Sequence, residues 1–233
     1  MVILERKMTM REKLKKRTVS VVVFTLLFSL VAVSVNSYYT DHKSNMNVFT
    51  TGNVKVKICE PEYERPENVK KRDRLAPGEE VQKDPYIYNC GKSECFVFAE
   101  VRIPRSKRIF TDSDGKKLPV MERNLFEFIC NSGWSLYSSK INDSASEPYE
   151  SYIFSYSDGK NMTTLRPGEK TTNLFKNDRL KFADVIETHT NERYEIPVTA
   201  YAIQTSDVLN SKGSVSVQKA YMALFNQKNA EGK

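Results

Sequence analysis

The sequence predicts an all-β domain with short connections, and three observations carry that expectation. Twelve Tyr and twelve Phe, with many Val, Ile and Thr, are the residues that suit a pleated, half-buried surface. The nine glycines fall at turns, loops or tails, among them Pro77-Gly78, Asp114-Gly115, Asp158-Gly159 and Pro167-Gly168. Several segments also alternate apolar and polar residues with the period of a half-buried strand.

Ahead of the domain stands an expected export signal, residues 1–37. Arg6, Lys7, Arg11, Lys13, Lys15, Lys16 and Arg17 outnumber Glu5 and Glu12. An apolar run of 17 residues, Val19 to Val35, follows, interrupted by Ser20, Thr25, Ser29 and Ser34. A spanning helix needs about 20 mostly apolar residues, so the run sits at the short limit for an anchor and fits a secretory signal. Val35 and Ser37 satisfy the small-residue rule for a cut between Ser37 and Tyr38. An uncleaved anchor is the other reading. The formal charge of +7 resides mostly in this leader, and residues 38–233 carry only about +2. The basic balance therefore lends no support to nucleic-acid binding, and membrane contact is expected only before cleavage.

Along the domain, expected over 53–226, Asn53–Glu60 alternates: Val54, Val56 and Ile58 face one way, Lys55 and Lys57 the other. Pro61–Arg74 is charged, holds two prolines and reads as an exposed loop or insertion. Tyr86–Asn89 and Cys95–Ile103 are expected to pair across the Cys90–Cys95 loop. In the second of these Val97, Ala99, Val101 and Ile103 share a face, with Phe96 and Phe98 opposite, so its first half is expected to be covered on both sides. Met121, Leu125, Phe128 and Ile129 recur at helical spacing and predict a short helix. Trp134–Ser138 and Tyr152–Tyr156 read as strands, and Asp158-Gly159 as a tight turn. Ile196–Gln204 is a second strong strand. Val217, Ala220, Tyr221 and Leu224 are spaced like one helix face, and residues 227–233 are expected to fray.

One phrase occurs twice: Leu75-Ala-Pro-Gly-Glu79 and Leu165-Arg-Pro-Gly-Glu169. Pro followed by Gly suits a type II turn, with Gly78 and Gly168 taking the positive φ after Pro77 and Pro167. Two halves of one fold using the same turn type explain the repeat better than duplication, because the flanks differ. The four cysteines, Cys59, Cys90, Cys95 and Cys130, allow three pairings in an exported protein, and the Cys90–Cys95 loop is short enough for a local bridge. Free buried thiols are the competing expectation.

Residues for catalysis are scarce. There is no HExxH, GxSxG, phosphate loop or GxGxxG, and only two histidines, His42 and His189. His42 reads as solvated, and His189 as part of a charged loop rather than a weak cation site. Asp112-Ser-Asp-Gly115 opens like a calcium loop but lacks the later ligands and closing Glu, so it reads as a turn. Zinc is not expected, since the cysteine spacing is not CxxC. The chain is read as a non-enzyme with no cofactor, metal or catalytic residue.

A set of ordered motifs runs from the leader to Gln204. Tyr38-Tyr-Thr-Asp41 is followed by Asn47-x-Phe49-Thr50-x-Gly52-Asn53-Val54-x-Val56. Next come Leu75-x-Pro-Gly-Glu79, Lys83-Asp-Pro85, Ile87-x-Asn89-x-Gly91 and Phe96-Val97. Leu165-x-Pro-Gly-Glu-x-Thr171, Leu174-Phe175 and Ala200-Tyr-Ala-Ile-Gln204 close the series. In order and spacing these residues resemble the secreted TasA/camelysin-like matrix proteins of Gram-positive bacteria, exported through a dedicated SipW-type signal peptidase. Among them the likeness is greatest to clostridial BsaA-type biofilm matrix subunits. The four cysteines and Pro61–Arg74 depart from the pattern. Some relatives are labelled metalloproteases, an activity not carried over because no zinc-ligand set is present.

The resemblance implies a jelly-roll-like antiparallel β-sandwich with a few short helices behind an N-terminal signal helix. It also implies a secreted fibre subunit, a homopolymer in the extracellular matrix or at the cell surface, with minor matrix subunits as further candidate partners. Residues 38–52 would be the assembly segment. Freed by cleavage, Tyr38, Tyr39, Thr40, Asp41, Val48 and Phe49 would form a ribbon that a neighbour's open sheet edge accepts. A donor face and a different acceptor face make a head-to-tail contact that need not close. The alternative is that this segment pairs within its own subunit. Rival functions are a surface adhesin, using the Pro61–Arg74 and Lys140–Glu150 loops, and a secreted metallopeptidase.

Overall fold

The organising element is the strand with the longest apolar run, Cys95–Thr111. Its residues Cys95–Val101 are buried without interruption, the mark of a strand covered on both faces. The computed structural model describes residues 47–51, 54–72, 75–144, 146–186, 194–208 and 214–231. In chain order these form β1 (Asn47–Thr51), β2 (Val56–Cys59), α1 (Pro66–Arg72), β3 (Glu80–Gln82), β4 (Tyr86–Asn89) and β5 (Cys95–Thr111). There follow β6 (Lys117–Asn124), β7 (Phe126–Glu127), β8 (Trp134–Asn142), β9 (Tyr149–Tyr156), β10 (Arg179–Phe182), β11 (Val198–Gln204) and α2 (Val217–Glu231). The fold is mainly β, as residue usage predicts.

The main sheet runs β1-β11-β5-β9-β8, and the far half of β5 bends away to pair with β6. Two smaller sheets, β3-β10-β7 and β2-β4, complete the set among the described residues. The ladders are antiparallel except β1 on β11. One face of the main sheet carries Val97, Ala99, Val101, Ile103, Val198, Ala200 and Phe154, in one core with Val56, Ile58 and Ile87 of β2 and β4. The opposite face carries Phe96, Phe98, Tyr201 and Ile203 beneath Val217, Ala220 and Leu224 of α2. The double covering expected for the start of β5 is thus made by β-structure on one side and a helix on the other.

The expected alternation of β2 is present: Val54, Val56 and Ile58 are buried while Lys55 and Lys57 are exposed. Both Leu-x-Pro-Gly-Glu phrases form one turn. Gly78 and Gly168 each adopt φ +81°, and the amides of Glu79 and Glu169 donate back to Ala76 O (3.1 Å) and Arg166 O (3.0 Å). Each glutamate Oε2 then accepts the amide of the residue before the proline, Ala76 at 3.0 Å and Arg166 at 2.9 Å. This explains the final Glu of the phrase, which turn geometry alone does not demand. The turns also extend ladders, the first through Gly78 N to Phe182 O (3.0 Å), the second through Gly168 N to Asn89 O (2.9 Å).

Three expectations are corrected. Met121–Ile129 is not helical but forms the end of β6, then β7. The helical spacing was coincidental: Leu125 is fully buried while Ile129 is 66% exposed, and the register with β5 fixes an extended chain. Tyr86–Asn89 and Cys95–Ile103 do not pair with each other. β4 pairs with β2, whereas β5 pairs with β11 and β9, so the connection passes between sheets. Asn89 holds that crossing, its Nδ2 donating to Ser93 O (2.9 Å) and Leu165 O (3.0 Å). Pro61–Arg74 is not a bare loop. It carries α1, begun by Pro66 at the position where a missing N–H costs least. Asp84 accepts the amides of Glu62 (3.0 Å) and Tyr63 (2.9 Å), and Tyr63 lies between Arg72 and Lys83, at 3.7 and 4.0 Å from its ring centre.

Cys59, Cys90, Cys95 and Cys130 are all free thiols, the competing expectation. Cys90 Sγ donates to Lys55 O (3.4 Å), Cys95 Sγ to Leu165 O (3.7 Å) and Cys130 Sγ to Trp134 O (3.5 Å). Burial pushes the Cys95 thiol up to about 12 and the Cys130 thiol up to about 11, so both stay protonated and unreactive.

Candidate functional site

The candidate site is the β1 edge of the main sheet. β1 pairs Asn47↔Thr199, Val48↔Ala200, Phe49↔Tyr201, Thr50↔Ala202 and Thr51↔Ile203 in parallel. Parallel neighbours require a long crossover. Here almost the whole domain is that crossover, because β1 opens the described chain and β11 lies near its end. β1 is the last strand on its side of the sheet. Val48 is 39% exposed. The segment expected to anchor in a neighbour therefore lies, from Asn47 onward, on its own subunit's sheet. Ser37, Tyr38, Tyr39, Thr40 and Asp41 lie outside the described residues, as do His42 and His189.

β11 differs sharply from β1. Val198 through Ile203 are all buried, and seven registered pairs join β11 to β5. The two strands are also tied by a polar cluster on the α2 face. Glu100 of β5, 8% exposed, accepts Tyr201 OH on Oε2 (2.6 Å) and Ser151 Oγ on Oε1 (2.7 Å). Arg102 Nε donates to the same Oε1 at 3.0 Å. Burial by itself would raise the Glu100 carboxyl, but bonds from Tyr201, Ser151 and Arg102 outweigh it and hold the group below its ordinary value. Burial, then the bond to Glu100, raises the Tyr201 phenol. The neighbour of β1 is thus tied to β5 by both its ladder and this polar cluster.

Sequence reasoning missed this cluster, yet a signal existed: Glu100 is the one acidic residue inside the apolar run Phe96–Ile103. It missed a second buried charge too. Lys83, 1% exposed, places Nζ 3.0 and 3.1 Å from the carboxylate oxygens of Glu60, itself 1% exposed. Its sign in the sequence is Lys83-Asp84 set between two strands, where a buried charge needs a partner.

The loops of the adhesin reading are partly folded in. Tyr63 and Asp84 dock the first. The second is braced by Asn142 Nδ2 donating to Tyr149 OH (2.9 Å) and by an Arg105–Asp143 pair at 3.3 Å. In the Asp112–Gly115 turn, Asp112 Oδ1 accepts the amides of Asp114 (3.0 Å) and Lys116 (2.9 Å), which occupies the oxygen a cation would need. Among the described residues no group of three or more His, Cys, Asp or Glu side chains gathers as a metal site. No family model, curated protein or solved structure matches the chain.

Proposed function

We propose that the chain is a secreted structural subunit of an extracellular matrix fibre, assembling head-to-tail by exchange of its N-terminal strand. In this reading the domain is a jelly-roll-like sandwich of the TasA/camelysin kind, exported by a dedicated signal peptidase and working without catalysis or cofactor. The observation that carries it is the place of β1: first in the described chain, last in the sheet, and paired in parallel with a well-anchored β11.

β1 on its own sheet is the closed, monomeric form of the same contact. When the strand leaves, it uncovers the β11 edge, and an identical strand from a second copy satisfies the same backbone groups. Exchange of an identical element between copies is a low-cost route to assembly, and a head-to-tail exchange continues into a fibre. A parallel edge strand of five residues has little to hold it against such exchange. Polymer stability then comes from the residues preceding β1, which add contacts on the neighbour.

Deleting Tyr38–Val48 from the mature protein is expected to leave a folded monomer that no longer assembles. Fibres of normal appearance from that variant, in electron micrographs, would reject the proposal.

A further inference from the structure

Beyond the strand edge, the α2 face of the main sheet holds a groove. β8 carries a bulge, its ladder stepping from Leu136↔Phe154 to Ser138↔Ile153. Tyr137 is the extra residue. It packs against Tyr221 of α2, with ring centres 4.4 Å apart, and the bulge leaves Lys140 and Asn142 facing the same side. Bulges of this kind re-aim side chains beside binding sites. The helix covers Phe98 and Tyr201 but not the sheet beyond them. The result is a cavity of about 260 Å³, with Glu100 and Ser151 in its floor, Lys140, Asn142 and Tyr149 along one side, and Tyr221 as its wall.

The lining selects among ligands by exclusion. An anion would face Glu100, which stays ionised. A cation would face Lys140. An apolar molecule would strip water from the Lys140 ammonium and from the remaining acceptor positions of Glu100 without replacing those bonds. A neutral polyhydroxylated ring meets none of these objections. Its hydroxyls exchange hydrogen bonds with Glu100, Asn142, Ser151 and Lys140, and its C–H face rests on tyrosine. Glu100 still has acceptor capacity, since an ionised carboxylate offers about four lone-pair positions and three are used. The volume lies just below the roughly 300–1,000 Å³ of drug-sized sites, which suits one sugar ring rather than a nucleotide.

We propose that this groove binds a hexose unit of a neutral polysaccharide. The site is independent of strand exchange, and the monomeric strand-deletion variant should retain it.

The test is an NMR titration of the mature chain, residues 38–233, kept dilute enough to stay monomeric, with cellopentaose, N-acetylchitopentaose, a mannan oligomer and, as anionic control, polygalacturonate. At least one neutral glycan is expected to shift the amides of Lys140, Asn142, Tyr149 and Ser151. Tyr149→Ala should weaken that binding about ten-fold, through loss of the ring contact. Tyr149→Phe, which keeps the ring and gives up only the bond from Asn142, should retain most of it. No shift at millimolar concentration of any neutral glycan would overturn the proposal. So would shifts located away from the groove, equal binding by Tyr149→Ala, or binding of polygalacturonate alone. Fibre formation is scored separately by electron microscopy, so either reading can fail alone.

Discussion

Removing β1 altogether, by deleting residues 38–51, measures how firmly the terminal strand is held. Five registered pairs offer about five backbone hydrogen bonds, each worth roughly 1 kcal/mol net. Val48, 39% exposed, adds about 1 kcal/mol of burial. Against this, fixing five residues costs roughly 1–2 kcal/mol each, or about 5–10 kcal/mol in all. The two sides agree to within a few kcal/mol. Deletion should therefore lower stability by no more than about 1 kcal/mol, or roughly 2–4 °C in Tm for a domain of this size. The assay is urea and thermal unfolding followed by Trp134 fluorescence and near-ultraviolet circular dichroism. A variant that is unfolded, or that loses more than about 5 kcal/mol against the sum above, would show β1 to be integral to its own subunit. A neighbour's identical strand would return the same contacts, but opening would then be too rare for exchange to proceed, and the assembly mechanism would fail.

Two further outcomes are expected. Glu100 is held below its unfolded value, so its contribution is present above about pH 4.3 and is lost as pH falls through the lower folded value. Glu100→Gln should then flatten stability against pH in that acid window, measured by urea midpoints, and an unchanged slope would remove Glu100 from the account. At the other buried charge, Glu60→Leu alone should cost about 3–5 kcal/mol by stranding Lys83, while Glu60→Leu with Lys83→Met should restore most of it. Additive losses in the double variant, by the same unfolding assay, would contradict the pairing at 3.0 Å.

The parts of the fold legible in the sequence are those where a local period meets one burial pattern. β2, β11 and the buried face of α2 follow from alternation or helical spacing, because each is packed by the side chains that set the period. The two Leu-x-Pro-Gly-Glu turns were legible for a stricter reason: a φ of +81° admits glycine readily and other residues poorly. What failed was partner choice. The loop between Tyr86–Asn89 and Cys95 looks like a hairpin connection by length, and nothing local says that Asn89 will bond to Leu165, 76 positions away. Met121–Ile129 failed because a strand, a bend and a second strand can mimic helical spacing over nine residues. At the candidate site, Val48 and Phe49 were identified, but the sheet receiving them depends on β11, some 150 residues later.

Under the proposed exchange, the closed and exchanged forms would make opposite demands on β11, and the polar cluster would reconcile them. For β1 to leave, its ladder must be weak; for another copy's strand to arrive, the vacated edge must not collapse. β11 meets the second condition through seven pairs with β5 and through Tyr201, whose hydroxyl lies 2.6 Å from Glu100 while its ring packs on Phe225 of α2 at 5.6 Å. Tyr201 is also the residue opposite Phe49. Tyr201→Phe should therefore leave β1 pairing largely intact yet loosen the edge it pairs with. In a mixture of intact subunits and strand-deleted monomers, hydrogen exchange of the β11 amides separates the two effects. Faster exchange in the strand-deleted Tyr201→Phe monomer, with near-normal exchange when β1 is present, is the expected pattern. Equal protection in both would mean that β11 is held by its ladder alone, and that the buried Glu100–Tyr201 bond serves some other end.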